Sequence, residues 1–187
     1  MSTVKDLLPL RSERLLLRFL EPGEAHLLAA YVTENREHLQ PWEPARSERY
    51  YTIEFWQAEI MRIHNEFVSG QSLRLTLLSE KSPQGPVLGV CNFTNVLRGV
   101  FQACFLGYSV HHKYQGRGIM AEALAAAIPF VFKYLKLHRI MANYMPRNER
   151  SGKLLKKLGF TVEGYARDYL KINGKWEDHI LTSKLAY

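Results

Sequence analysis

The chain switches between helical and strand-like hydrophobic periods. Leu15, Leu16 and Leu17 begin an apolar run that continues through Arg18 and Phe19, and Glu21, Pro22, Gly23 and Glu24 follow it. This predicts a strand entering a helix with proline in its first turn. Leu27, Leu28 and Tyr31 belong to that helix. A second short helix over residues 34–39 is expected to stop at Pro41, leaving Trp42, Glu43 and Pro44 in a loop. Between Thr52 and Gly70, the residues Trp56, Ile60, Ile63 and Phe67 recur at three- and four-residue intervals. They predict an amphipathic helix capped by Thr52, ended by Gly70 and packed on the core through that stripe.

Period two then takes over. Leu73, Leu75 and Leu77 alternate with Arg74 and Thr76, and residues 82–86 mark a turn. Two more strands over 87–96 and 101–110, joined near Arg98 and Gly99, complete an antiparallel meander. Met120, Leu124, Ile128 and Phe132 restore the helical period, with Pro129 expected to kink or end the helix. Residues 138–144 read as a strand, 148–158 as a helix closed by Gly159, and 160–172 as a strand. Asn173-Gly174 is a strong hairpin signal leading to a last strand over 175–185. The order β-α-α-β-β-β-α-β-α-β-β predicts an α/β fold around a mixed sheet, and the lack of repeats or long linkers predicts a single domain over residues 1–187.

Composition narrows the classes. With 187 residues, 47% hydrophobic and 23% charged, the chain can bury a substantial core and is not a disordered protein. Its longest apolar stretch, from Ala123 to Phe132, contains Pro129 and is far shorter than the roughly 20 residues of a membrane helix. Residues 1–6 are not followed by a secretory signal pattern, so a cytoplasmic location is expected, with Cys91 and Cys104 as reduced, buried thiols on neighbouring strands. The net charge of +7 fits RNA, a phosphorylated cofactor or simple solubility, and does not choose among them.

The chemistry concentrates between the meander and the next helix, in His112, Lys113, Tyr114, Gln115, Gly116, Arg117, Gly118, Ile119 and Met120. Two glycines at a strand-to-helix turn let the backbone approach a ligand, and the first helical N–H groups attract phosphate. A dinucleotide fingerprint would need glycine at Ala121 and a parallel β-α-β unit, and no Walker Gly-Lys-Ser/Thr sequence is present. A phosphate cradle of another kind fits.

Gln115, Gly116, Arg117 and Gly118 resemble the Q/R-x-x-G-x-G/A loop of the GNAT family of acetyl-CoA-dependent N-acetyltransferases, with Met120 departing at the last position. The element order and the Asn148–Ser151, Leu154-Leu155 and Leu158-Gly159-Phe160 stretches extend the resemblance. Residues 40–44, 105–109, 138–146, 163–169 and 175–179 are similar to the branch that acetylates ribosomal-protein N-termini, and the likeness runs from Arg14 onward. The resemblance implies acetyl-CoA as cosubstrate and the α-amine of an N-terminal alanine, on a small-subunit ribosomal protein, as acceptor. It assigns the pyrophosphate to Gln115, Gly116, Arg117, Gly118, Ile119 and Met120, the pantetheine arm to Gly107, Tyr108, Ser109 and Val110, and a hydrogen bond near the thioester to Asn148.

The implied reaction is direct amine attack, requiring a base and an acid for the leaving thiolate. Where many members carry a tyrosine acid, this chain has Leu155. Ser151, one turn earlier, is the candidate acid and a further cofactor contact. Related proteins often carry a glutamate where Phe105 stands, so Glu43 and Asp168 are the candidate bases. An α-amine of pKa about 7.7–8.0 needs only a weak base at neutral pH, unlike lysine near 10.4.

Alternatives are acetylation of a small amine or antibiotic, or a ribosome-assembly or rRNA-binding role with catalysis secondary. Arg147, Arg150, Lys153 and Lys157 repeat at helical spacing and could face RNA, solvent or a cofactor phosphate. His111 and His112 would face opposite sides of a continued strand, so no metal site is expected. No G-x-S-x-G elbow occurs.

Overall fold

The computed structural model describes residues 8–187, so residues 1–6, on which the localisation expectation rests, lie outside the described residues. The strands are β1 (Leu10–Arg11), β2 (Leu15–Arg18), β3 (Leu73–Ser79), β4 (Gly89–Leu97), β5 (Ala103–Val110), β6 (Arg139–Met141), β7 (Thr161–Ile172) and β8 (Lys175–Leu185). The helices are α1 (Ala25–Glu34), α2 (Arg36–Leu39), α3 (Ile53–Val68), α4 (Ile119–Leu135) and α5 (Glu149–Lys157). One eight-stranded sheet runs β1-β2-β3-β4-β5-β6-β8-β7, antiparallel except for the β5–β6 pair. The two-residue β1 is an addition to the expected order, and the three helices read before the meander are all present, the short second one included.

Both faces of the sheet are covered, which explains why β2 reads as an unbroken apolar run. Leu15, Leu17, Leu75 and Leu77 join Leu124, Ala127, Ile128 and Val131 of α4 in one cluster. Leu16 and Leu78 join Leu28 and Val32 of α1 and Trp56 and Ile60 of α3 in another. Thr52 caps α3 as expected, accepting from the Phe55 N–H at 3.2 Å.

The short helix ends at Leu39, before Pro41 as expected, and the surroundings of two prolines add detail. Pro41 sits inside a 3-10 turn over Gln40–Trp42, where its missing N–H costs little. Pro129 lies within α4, which continues to Leu135, so of the expected kink or end the proline does not bring the end. A helical proline costs about 3 kcal/mol. Burying Leu124, Ile128, Phe130 and Val131 around it contributes about 1.5–3 kcal/mol for each large side chain, so packing wins.

The strand expected over 138–144 is cut to three residues, with Tyr144 touching Ile180 only as an isolated bridge. β5 and β6 pair at Ala103, Cys104 and Phe105 and then part. Beyond that point β5 keeps its β4 neighbour through Val110, while its other edge has no partner strand among the described residues.

Candidate active site

The free edge of β5 lines a cleft of about 460 Å³, and the glycine turn follows that strand in the chain. Leu106, Gly107, Tyr108 and Ser109 line it from β5, with Asn148 and Ser151 from the start of α5. A Cβ on Gly107 or Gly116 would meet nothing within 4 Å, so the backbone here is open to a ligand. Gly116 and Gly118 have φ of +71° and +74°, a conformation that strains a side-chain-bearing residue. The first hydrogen bond of α4 runs from the Glu122 N–H to the Gly118 carbonyl at 3.0 Å. The Ile119, Met120 and Ala121 N–H groups before it have no carbonyl one turn back and can face an anion. A pyrophosphate-bearing cofactor with an amide-rich arm fits this arrangement.

Glu122, in the first turn, would repel phosphate if its charge were free. Its carboxylate accepts from Ser12 Oγ at 2.6 Å, the Arg14 N–H at 2.8 Å and Arg14 Nε at 2.6 Å. Burial would raise its pKa, but these hydrogen bonds outweigh burial and hold it below the usual carboxylate range.

Tyr31, Trp42, Glu43, Tyr50, Asn143 and Tyr144 also line the cleft. Glu43 has a raised pKa because burial outweighs the nearby Arg46 guanidinium, 3.4 Å from its Oε2. The Asn173 N–H, at the β7–β8 hairpin turn, donates to the Glu43 carbonyl at 2.9 Å and fixes that loop. Tyr31 and Tyr50 are pushed well above the usual phenol value, first by burial and also by the negative charge of Glu43. Tyr31 Oη and Ser109 Oγ lie 2.9 Å apart, joining α1 to β5.

Ser151 Oγ lies 2.7 Å from Tyr108 Oη, and burial pushes the Tyr108 phenol up to about 12. Asn148 is the N-cap of α5, its Oδ1 accepting from the Ser151 N–H at 3.2 Å, which fixes Ser151 toward the cleft. Leu155 is buried in the core and offers no donor. Sequence reasoning assigned Tyr108 only to the cofactor arm and missed Tyr50, Asn143 and Tyr144. Tyr144 could be found only from packing, because its ring stands where a Cβ on Gly152 would come within 2.8–2.9 Å.

Asp168 is not brought to the cleft. It lies exposed in a bulge of the β7–β8 ladder with φ of +48°, its N–H donating to Asp178 Oδ1 at 2.9 Å. The basic stripe is largely engaged within the chain: Arg147 pairs with Glu177, Arg150 donates to Gln115 Oε1 at 2.8 Å, and Lys153 pairs with Glu149 at 3.3 Å. His111 and His112 do not face opposite ways, because β5 ends at Val110 and a 3-10 turn places their rings 4.7 Å apart. Among the described residues no group of three or more His, Cys, Asp or Glu side chains could hold a metal, and no helix is long and apolar enough to cross a membrane. Cys91 and Cys104 are free and buried, with burial pushing both thiols up to about 12.

Residues 14–161 match the acetyltransferase (GNAT) domain. The chain is 47% identical over 174 residues to the [ribosomal protein uS5]-alanine N-acetyltransferase of Escherichia coli strain K12, covering 93% of this chain and 89% of that protein. The crystal structure of ribosomal-protein-S5-alanine acetyltransferase from Vibrio fischeri superposes with a TM-score of 0.90 at 39% identity, covering 96% of this chain and 97% of that one. Mycobacterium smegmatis RimJ in complex with CoA-disulfide gives 0.84 at 28% identity, covering 92% and 82%.

Proposed function

Since the chain belongs to the GNAT family of acetyl-CoA-dependent N-acetyltransferases, we propose that its acceptor is the N-terminal α-amine, with alanine as first residue, of a ribosomal protein. The relatives similar over nearly their whole length act on such a substrate. The observation that carries the reading is one cleft bringing the unpaired edge of β5 together with a half-buried carboxylate of raised pKa. A base of that strength suits an α-amine, which lies within about one unit of neutral pH.

Backbone N–H groups of Gln115 to Met120 hold the pyrophosphate, and the main chain of Gly107 to Val110 pairs with the pantetheine arm. Acetyl-CoA supplies a thioester that the amine attacks directly, with a thiolate as leaving group. Glu43 takes the amine proton, directly or through a water. It acts as the anion, so activity is lost as pH falls through its raised pKa. Ser151 passes a proton toward the leaving sulfur, and Tyr108, hydrogen-bonded to it, resupplies that proton. A ribosomal-protein acceptor places the reaction in the cytoplasm, free or beside the ribosome.

Intact-mass analysis after incubation with acetyl-CoA and unacetylated ribosomal proteins tests the reading. One added acetyl group on an N-terminal alanine is expected. Turnover confined to polyamines or antibiotics in a parallel free-thiol assay would overturn it.

A further inference from the structure

Gln115 begins the glycine turn, and both ends of its amide are held. Arg150 Nη1 donates to Oε1 at 2.8 Å, while Nε2 lies 2.8 Å from Nε2 of His38 on α2. A guanidinium has donors only, so the amide oxygen faces Arg150 and the NH2 group faces His38. An NH2 group cannot accept, so His38 Nε2 must present its lone pair. The ring is therefore neutral, with its proton on Nδ1.

The surroundings favour this state. Burial, then His112 and His111 from the segment after β5 and Arg150 from α5, push the His38 imidazole below its usual value, and the Val110 carbonyl is the opposing influence. Glu34 of α1 is engaged elsewhere, by Lys113 at 3.0 Å and His111 at 3.3 Å. A proton on Nε2 would set two donors against each other. Flipping the amide would only move the conflict to Arg150.

We propose that His38 is a positioning residue for acetyl-CoA: as a neutral acceptor it latches the Gln115 amide, and with it the start of the pyrophosphate turn, to α2. Protonation of the ring releases the latch. The inference rests on the assignment of residues 115–120 to the cofactor.

Calorimetric titration of acetyl-CoA from pH 8 to 5.5 into wild type, His38→Gln and His38→Ala tests it. Glutamine offers an acceptor that does not titrate. At pH 8 the Gln variant should bind within about threefold of wild type and the Ala variant about 3- to 10-fold more weakly, the worth of one hydrogen bond. As pH falls, wild type should weaken relative to His38→Gln by about 3- to 10-fold. Taking this ratio removes pH effects that do not involve His38, such as protonation of the cofactor phosphates, which occur in both proteins.

A ratio that stays constant would overturn the latch. So would a ratio moving the other way, the behaviour of a bare positive charge beside phosphate. If His38→Ala does not fold, the wild-type to Gln ratio decides alone. Gly118→Val separates the two levels: unchanged affinity in that variant means the turn is not the cofactor site, whereas weakened affinity with a flat His38 ratio refutes only the latch.

Discussion

The region we assign to the cofactor is made of backbone, and the region we assign to the acceptor is made of side chains. In the first, the free edge of β5, Gly116 and Gly118 at positive φ and the uncapped start of α4 present main-chain groups whose directions follow from local conformation. In the second, Glu43, Tyr50 and Tyr144 come from three separate segments and meet only because α1, α3 and the β7–β8 hairpin pack around them. A backbone-built region tolerates changes in side chains but not in conformation, and a side-chain-built region responds in the opposite way.

That contrast can be broken most directly at Glu43. Glu43→Gln should lower kcat/KM by about 10²-fold and remove the acidic limb of the pH profile, while acetyl-CoA affinity by calorimetry stays unchanged. If the limb persists, the base lies elsewhere in that region. The converse change is Gly118→Val, where a β-branched residue is forced to φ of +74°. Strain of about 2 kcal/mol should weaken acetyl-CoA binding about 30-fold, with the circular-dichroism melting curve still cooperative.

The Tyr108–Ser151 pair sharpens the distinction. Ser151→Ala and Tyr108→Phe should each lower kcat about tenfold with little change in KM for acetyl-CoA. The double variant should be no slower than the slower single one, because the two hydroxyls act as one relay. Additive losses would separate their roles. Smallest is the effect expected at Asp168, exposed and outside the cleft: Asp168→Asn should change kcat/KM by less than about twofold across pH, and a shifted profile would bring β7 into the chemistry.

The legibility of the sequence follows the same division. The glycine turn, α3 with its Thr52 cap and the Asn173-Gly174 hairpin were readable because each is set by residues a few positions apart. The Tyr31–Ser109 and Tyr108–Ser151 contacts span 78 and 43 positions, beyond any local spacing rule. Glu43 was legible as a candidate from its loop, but its burial and raised pKa depend on neighbours that only the fold supplies. Asp168 looked equally suitable as a residue type, and the bulged hairpin carries it to solvent. Pro129 does not end α4 for a related reason, since a local rule met a buried helix whose packing outweighed it.

The parting of β5 from β6 also bears on how the protein lasts in solution. Main-chain groups beyond Phe105 that lack a strand partner are satisfied by water or by the ligand arm, so part of the native state's stability is set by mass action. At a cofactor concentration one hundred times its dissociation constant, the linkage contributes about 2.7 kcal/mol. Resistance to heat and proteolysis would then follow the acetyl-CoA level, and the charge state of the cell's acetyl pool would become a determinant of how long each molecule survives.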